Sequence, residues 1–229
     1  VLRRLVKASA IVIGVGLVAG CAVTPVKMGS AAIVGNQRIS IATLGIQVTN
    51  LNQAAKQYPG QVNLTQTQAT QATLTWLIRY QVYEEVARRA GITVSAAQAQ
   101  KALQQAVAAA EASAEQQGLT NATQNLILAA SGVPPDTATE LGRYEAIASE
   151  YLTIANGGTA PTSSAAQTAA GNKLNQAECQ AAKALNIAVN PQFGQLDYAQ
   201  LQVVSAPNPV TRPAGPTTSA SPIATAPAC

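Results

Sequence analysis

The stretch ATLTWLIRYQVYEEVARRAGITVS, residues 72–95, decides the fold. Leu74, Leu77, Ile78, Val82 and Val86 recur at helical spacing, and Trp76, Tyr80, Tyr83 and Ala87 fill an adjoining face. At about 100° per residue the two sets together cover more than half of the helix circumference. A helix apolar over so much of its girth is surrounded by other elements, so this is the expected core helix. Thr65 or Thr67 opens it, and Gly91 closes it as a C-terminal glycine.

Working towards the N-terminus, Tyr58-Pro59-Gly60 stops an earlier helix over 43–57, with Leu44, Val48, Leu51 and Ala55 at helical spacing and Ser40 or Thr43 as its cap. Before it, Ala31–Val34 reads as a strand, Gly35–Arg38 as a tight turn and Ile39–Ile41 as the exit, because Gly-Asn tolerates the φ values that hairpin turns need. Towards the C-terminus, Thr93 or Ser95 caps a helix over 96–117 that is nearly all Ala and Gln, a strong former with little to bury. Helices over 120–131 and 137–155 follow, separated by Gly132-Val133-Pro134-Pro135. Residues 157–165 form a connector, 166–185 a last helix, and 187–204 a second strand-like stretch. From Ser205 onward, six of the chain's 12 prolines fall among Ala, Thr and Ser, a composition that builds no core.

The N-terminus reads as an address. Arg3, Arg4 and Lys7 precede the uncharged apolar run 8–20, which is followed by Cys21, the layout of a signal peptide. That run is short beside the roughly 20 apolar residues that span a bilayer. Val18, Ala19, Gly20 and Cys21 match the lipobox of bacterial lipoproteins. The match implies cleavage before Cys21, a diacylglycerol on its thiol and attachment to the outer face of the cell membrane. Two acyl chains anchor a protein stably. The expected organisation is a signal peptide over 1–20, a tether over 21–30, a helical domain over 31–204 and an extended or disordered tail over 205–229.

Charge and composition exclude much. The 229 residues carry 14 Lys and Arg against 10 Asp and Glu, for a formal charge of +4. Removing residues 1–20 takes away Arg3, Arg4 and Lys7 and no acid, so 11 cations then face 10 acids. Such a chain has no basic footprint for nucleic acid. The absence of histidine rules out Ser-His-Asp and Cys-His nucleophiles, His-ligated zinc and imidazole acid–base chemistry. No cofactor is implied. Glu84-Glu85 and Glu111/Glu115 are the close acidic pairs and read as solvated helix faces, with Glu85 free to pair with Arg88 or Arg89. Cys179 and Cys229 lie outside any C-x-x-C motif, and outside the membrane they can pair with each other, stay free or pair between molecules. Trp76, Tyr80 and Tyr83 either line a groove for apolar segments of a client chain or simply fill the core.

Three blocks, AAIVGNQRIS at 31–40, ATLTWLIRYQVYEEVARRAGITVS at 72–95 and IAVNPQFGQLD at 187–197, carry a likeness. In this order they resemble the chaperone module of SurA/PrsA-type foldases, and among these the SurA N-terminal-like lipoproteins of actinobacteria. The turn at Val34-Gly35-Asn36-Gln37 is permuted by one residue from the usual Val-Asn-Gly, and Gln192 and Leu196 stand where Arg and an aromatic are usual. The resemblance implies a mainly α fold, a helical cradle closed when the N-terminal strand pairs with the strand after the Asn-Pro segment. Many relatives carry a parvulin prolyl isomerase between the helical body and the last helix. Here that point is the short connector 157–165, too small for any catalytic domain. The resemblance therefore implies a non-catalytic, membrane-anchored chaperone whose partners are unfolded or secreted polypeptides. The alternative is an envelope scaffold that keeps the fold without binding clients; a transporter-associated ligand-binding protein would need an α/β alternation that this chain lacks.

Overall fold

The computed structural model describes residues 28–116 and 122–206. They form a mainly helical body of six α-helices with small antiparallel strand pairs. None of these helices is long and apolar enough to cross a membrane.

β1 (Ser30–Val34) and β2 (Gln37–Ser40) make a hairpin around Gly35-Asn36. The turn is tighter than the sequence predicts, because Val34 already pairs with Gln37 and Ile33 with Arg38. Ser40 ends β2 and caps α1 (Ile41–Lys56), its side-chain oxygen accepting from the Thr43 amide at 2.9 Å. α2 (Gln66–Ala90) opens with a full capping box between Thr65 and Gln68 and ends at Gly91 in the left-handed conformation, φ 68°. α3 (Ala96–Gln116) repeats the device: the Gln98 amide donates to Ser95 Oγ at 3.3 Å, and the Ser95 amide to Gln98 Oε1 at 2.8 Å. α4 (Gln124–Ala130) is capped by Thr123, so it begins later than the 120 expected from the sequence. A single 3₁₀ turn (Pro135–Thr137) leads into α5 (Ala138–Ala155), and α6 (Ser164–Ala184) starts at the Ser163 cap.

α2 is the central helix. Leu74, Ile78 and Val82 are wholly buried, and α1, α5, α6, β1 and the last strand, Gln202–Val204, all pack on it. α3 lies chiefly on α5 and buries little, with Ala99 and Val107 its buried residues. Contact there is close because α5 carries Gly142: a Cβ at that position would lie 2.5 Å from the Ala99 carbonyl oxygen. The backbones therefore approach to a distance that no other residue type permits.

The chain closes on itself at β3 (Ala188–Val189), which pairs antiparallel with β1 through Ala32↔Val189 and Ile33↔Ala188. This corrects the expected closure: the N-terminal strand pairs with the strand before Asn190-Pro191, not after it. The reason lies in Asn190, whose amide donates to the Ala31 carbonyl at 2.9 Å and whose side chain donates to the Ser30 carbonyl at 3.1 Å. Pro191 then turns the chain away, since it has no N–H with which to extend the ladder. β4 (Gln195–Asp197) and β5 (Gln202–Val204) form a separate hairpin laid on α2. The Val203 amide donates to Thr75 Oγ1 at 2.9 Å, and Arg79 donates to the Leu201 and Gln200 carbonyls, each at 3.1 Å.

Candidate functional site

The side chains with most chemistry gather where α2 faces α5 and α6. Trp76, Tyr80 and Tyr83 lie one turn apart along α2, and Tyr144 of α5 reaches all three. Its ring centroid is 5.5 Å from Trp76, 6.5 Å from Tyr80 and 4.0 Å from Tyr83. Tyr80 and Tyr83 are buried and Trp76 is half-buried. Trp76 donates to the Ser131 carbonyl at 3.2 Å, and the Arg79 guanidinium lies 5.2 Å from the centre of its ring. Tyr80 shares a hydrogen bond of 3.0 Å with Thr137 Oγ1. The Tyr83 hydroxyl donates to the Glu178 carboxylate of α6. The three aromatics read from the sequence are thus brought together, and two of them fill the interior between helices.

Burial sets the electrostatics. It raises the hydroxyl pKa of Tyr80, Tyr83 and Tyr144, so these phenols stay protonated and serve as donors. The same loss of water raises the carboxyl pKa of Glu145 and Glu178 above the ordinary carboxylate range; for Glu178 the Tyr83 hydrogen bond and Arg79 pull the other way without offsetting it. Glu85 behaves oppositely: hydrogen bonds from Arg88 and then Arg89 hold it down at about 2.

Glu84 keeps a side chain 44% exposed, as the solvated-face reading expects, and adds a partner on another helix. It receives a forked pair of hydrogen bonds from Arg143 of α5, whose third nitrogen donates to the Val94 carbonyl at 3.1 Å. Glu84 stands four residues after Tyr80, on the row that faces α5, so helical spacing carried the signal. Arg143, Tyr144, Glu145 and Glu178 had no such mark in the sequence, because only the packing of α5 and α6 on α2 gives them partners.

Two surface grooves accompany this interior. One, of about 510 Å³, lies between the end of α1 and the start of α2, lined by Ala55, Lys56, Pro59, Val62, Leu64 and Gln66. The other, of about 270 Å³, lies between α5 and α6, with Tyr151, Ile154, Ala155 and Ala177 as its apolar lining. Both combine apolar side chains with amides and a single lysine.

The remaining sequence-predicted residues fall differently. Cys179 sits on α6 and is disulfide-bonded. Val18, Ala19, Gly20, Cys21 and Cys229 lie outside the described residues.

A family model for the SurA-like N-terminal domain matches residues 5–125, over half of the 229-residue chain. The chain belongs to this family. Within this SurA-like N-terminal module the match runs from before β1 to the first residues of α4, and so includes Trp76, Tyr80 and Tyr83. α5, α6 and the closing strands lie beyond it. No parvulin domain is matched. Neither a curated protein nor a solved structure matches the chain.

Proposed function

We propose that this SurA-like module works outside the cytoplasm as a lipid-anchored, non-catalytic holdase for unfolded secreted or envelope polypeptides. Membership of a chaperone-module family carries the reading. Three features support it. Residues 156–163 alone join α5 to α6, which leaves no room at that point for an isomerase domain. The groove between α1 and α2 offers a weak contact for apolar segments, as a holdase needs. The charge, apolar run and Val18-Ala19-Gly20-Cys21 sequence at the N-terminus fit acylation of Cys21.

The test is light scattering from a denatured secreted protein diluted into stoichiometric mature module: aggregation is delayed if the reading holds, and an unchanged trace removes it. Anchoring is tested separately. Cys21→Ala moves the protein from the membrane fraction to the soluble fraction, and retention in the membrane refutes the lipid anchor.

One observation favours the scaffold alternative. Tyr80 and Tyr83 are buried, and promiscuous surfaces are usually rich in exposed aromatic or Met side chains. The same scattering measurement separates the two readings.

A further inference from the structure

The groove between α5 and α6 has no cover among the described residues, and Ile154 at its lip is 47% exposed. Its rim holds Gln176, Gln180 and Lys173, whose ammonium donates to the Ala155 carbonyl at 2.7 Å. The groove therefore joins apolar side chains to two amides and to one lysine already hydrogen-bonded to a backbone carbonyl. Cys179 lies on the same stretch of α6, between Gln176 and Gln180, and is disulfide-bonded.

The chain's other cysteines are Cys21 and Cys229. Residues 21–28 span at most about 25 Å when fully extended. Met28 enters at the end of β1 remote from α6, since Gly35, at the other end, receives the α6 terminus through the Leu185 carbonyl at 2.7 Å. Residues 206–229 reach about 80 Å. They start beside α2, where Ser205 Oγ accepts from Gln71 at 3.2 Å. From Gln71 to Tyr83, which touches Glu178 next to Cys179, is about 18 Å along the helix. The C-terminal segment can therefore reach more than four times that distance, whereas residues 21–28 reach at most about 25 Å from Met28.

Residues 222–228, Pro-Ile-Ala-Thr-Ala-Pro-Ala, match the groove in chemistry. They carry no charge, their prolines favour an extended backbone with unpaired carbonyls, and Ile223 is their one large apolar side chain. Ile223 stands six positions before Cys229, about 19 Å in an extended conformation. That suffices to run along α6 from Cys179 past Lys173.

We propose that Cys179 is joined to Cys229 and that residues 222–228 lie in the α5–α6 groove with Ile223 against Tyr151 and Ile154, so that this chain covers its own apolar surface. The bond forms by thiol–disulfide exchange with an extracytoplasmic disulfide oxidant. The two thiols lose two protons and two electrons, and the oxidant's disulfide is reduced to two thiols. The proposal rests on the extracytoplasmic reading for its oxidant, but not on the lipid at Cys21.

The test uses mature protein isolated from whole cells without reductant. Non-reducing tryptic digestion yields peptide Leu174–Lys183 linked to the peptide containing Cys229, and reduction separates them. Deuterium uptake over 151–156 and 173–180 is then compared with Cys229→Ala and with Ile223→Asp, which keeps the disulfide. Docking raises uptake at least twofold in both variants. A Cys179 found thiol or linked to Cys21 overturns the proposal, as does unchanged uptake in Ile223→Asp. If Cys21 carries no lipid while Cys179 and Cys229 are linked, the anchor reading fails and this one stands.

Discussion

α2 and α3 are neighbours of comparable length, 25 and 21 residues, yet they are held in opposite ways. α2 buries Leu74, Ile78, Val82 and Val86 and extends Arg79, Tyr80, Tyr83 and Glu84 to partners on four other segments. α3 buries Ala99 and Val107 and depends on backbone proximity to α5. Large side chains tie one helix to many elements, while small ones let the other settle chiefly against one partner. The first arrangement is sensitive to lost volume and the second to added volume.

The largest effect is expected from removing volume at α2. Ile78→Ala, at a fully buried position, costs about 2–5 kcal/mol in urea unfolding. A cost below that of Val107→Ala would erase the contrast between the helices. Next is added volume at α5: Gly142→Ala places a Cβ against the Ala99 carbonyl and costs about 1–3 kcal/mol. Its signature is selective loss of exchange protection over 96–116, and uniform loss over the whole body would show that α3 is not a separately held element.

Arg79→Met sharpens the picture of α2 as an anchor, because it removes two charge-assisted hydrogen bonds to the β4–β5 turn while keeping most of the stem. A loss of about 1–3 kcal/mol is expected, with raised exchange at 195–204. Unchanged exchange there would mean that the Val203–Thr75 bond holds the hairpin alone.

pH tests the buried carboxyls. Glu145 and Glu178 have folded pKa values raised above the unfolded ones, so their contribution is fully present below the unfolded pKa, near 4.5, and is lost as pH rises through the folded values. Stability therefore falls as pH rises above the unfolded value near 4.5, and Glu178→Gln flattens part of that slope while keeping an acceptor for Tyr83. A slope identical to wild type would exclude Glu178 as its source. Glu85 acts with the opposite sign and in a different window: its contribution is present above the unfolded pKa and lost as pH falls towards 2. The smallest effect belongs to exposed Arg88, whose replacement by Ala leaves the unfolding midpoint within the scatter of the measurement.

Much of the helical ladder was legible because it depends on local signals. Thr65 and Ser95 cap helices as their sequence positions indicate, and Gly91 ends α2, whereas α6 starts at the Ser163 cap, inside the expected connector. The closing strand was half legible: residues 187–204 read as strand-like, but a short strand can pair on either side of a proline. Asn190 settled the matter through bonds to Ser30 and Ala31, 160 and 159 residues away in sequence. In the candidate site, helical spacing marked Trp76, Tyr80 and Tyr83, while their partners Tyr144, Thr137 and Glu178 lie on segments with no local link to them.

Sequence alone determined which segments are helices, that α2 is their centre, and the family likeness that the family match bears out. Helical periodicity and end caps are properties of neighbouring residues, so one strand of text holds them. Only the tertiary structure decided the partner of β1, the ion pair of Glu84 with Arg143, and the burial that raises Glu145 and Glu178. Each of these depends on how much water is excluded between elements that meet only after the chain has folded.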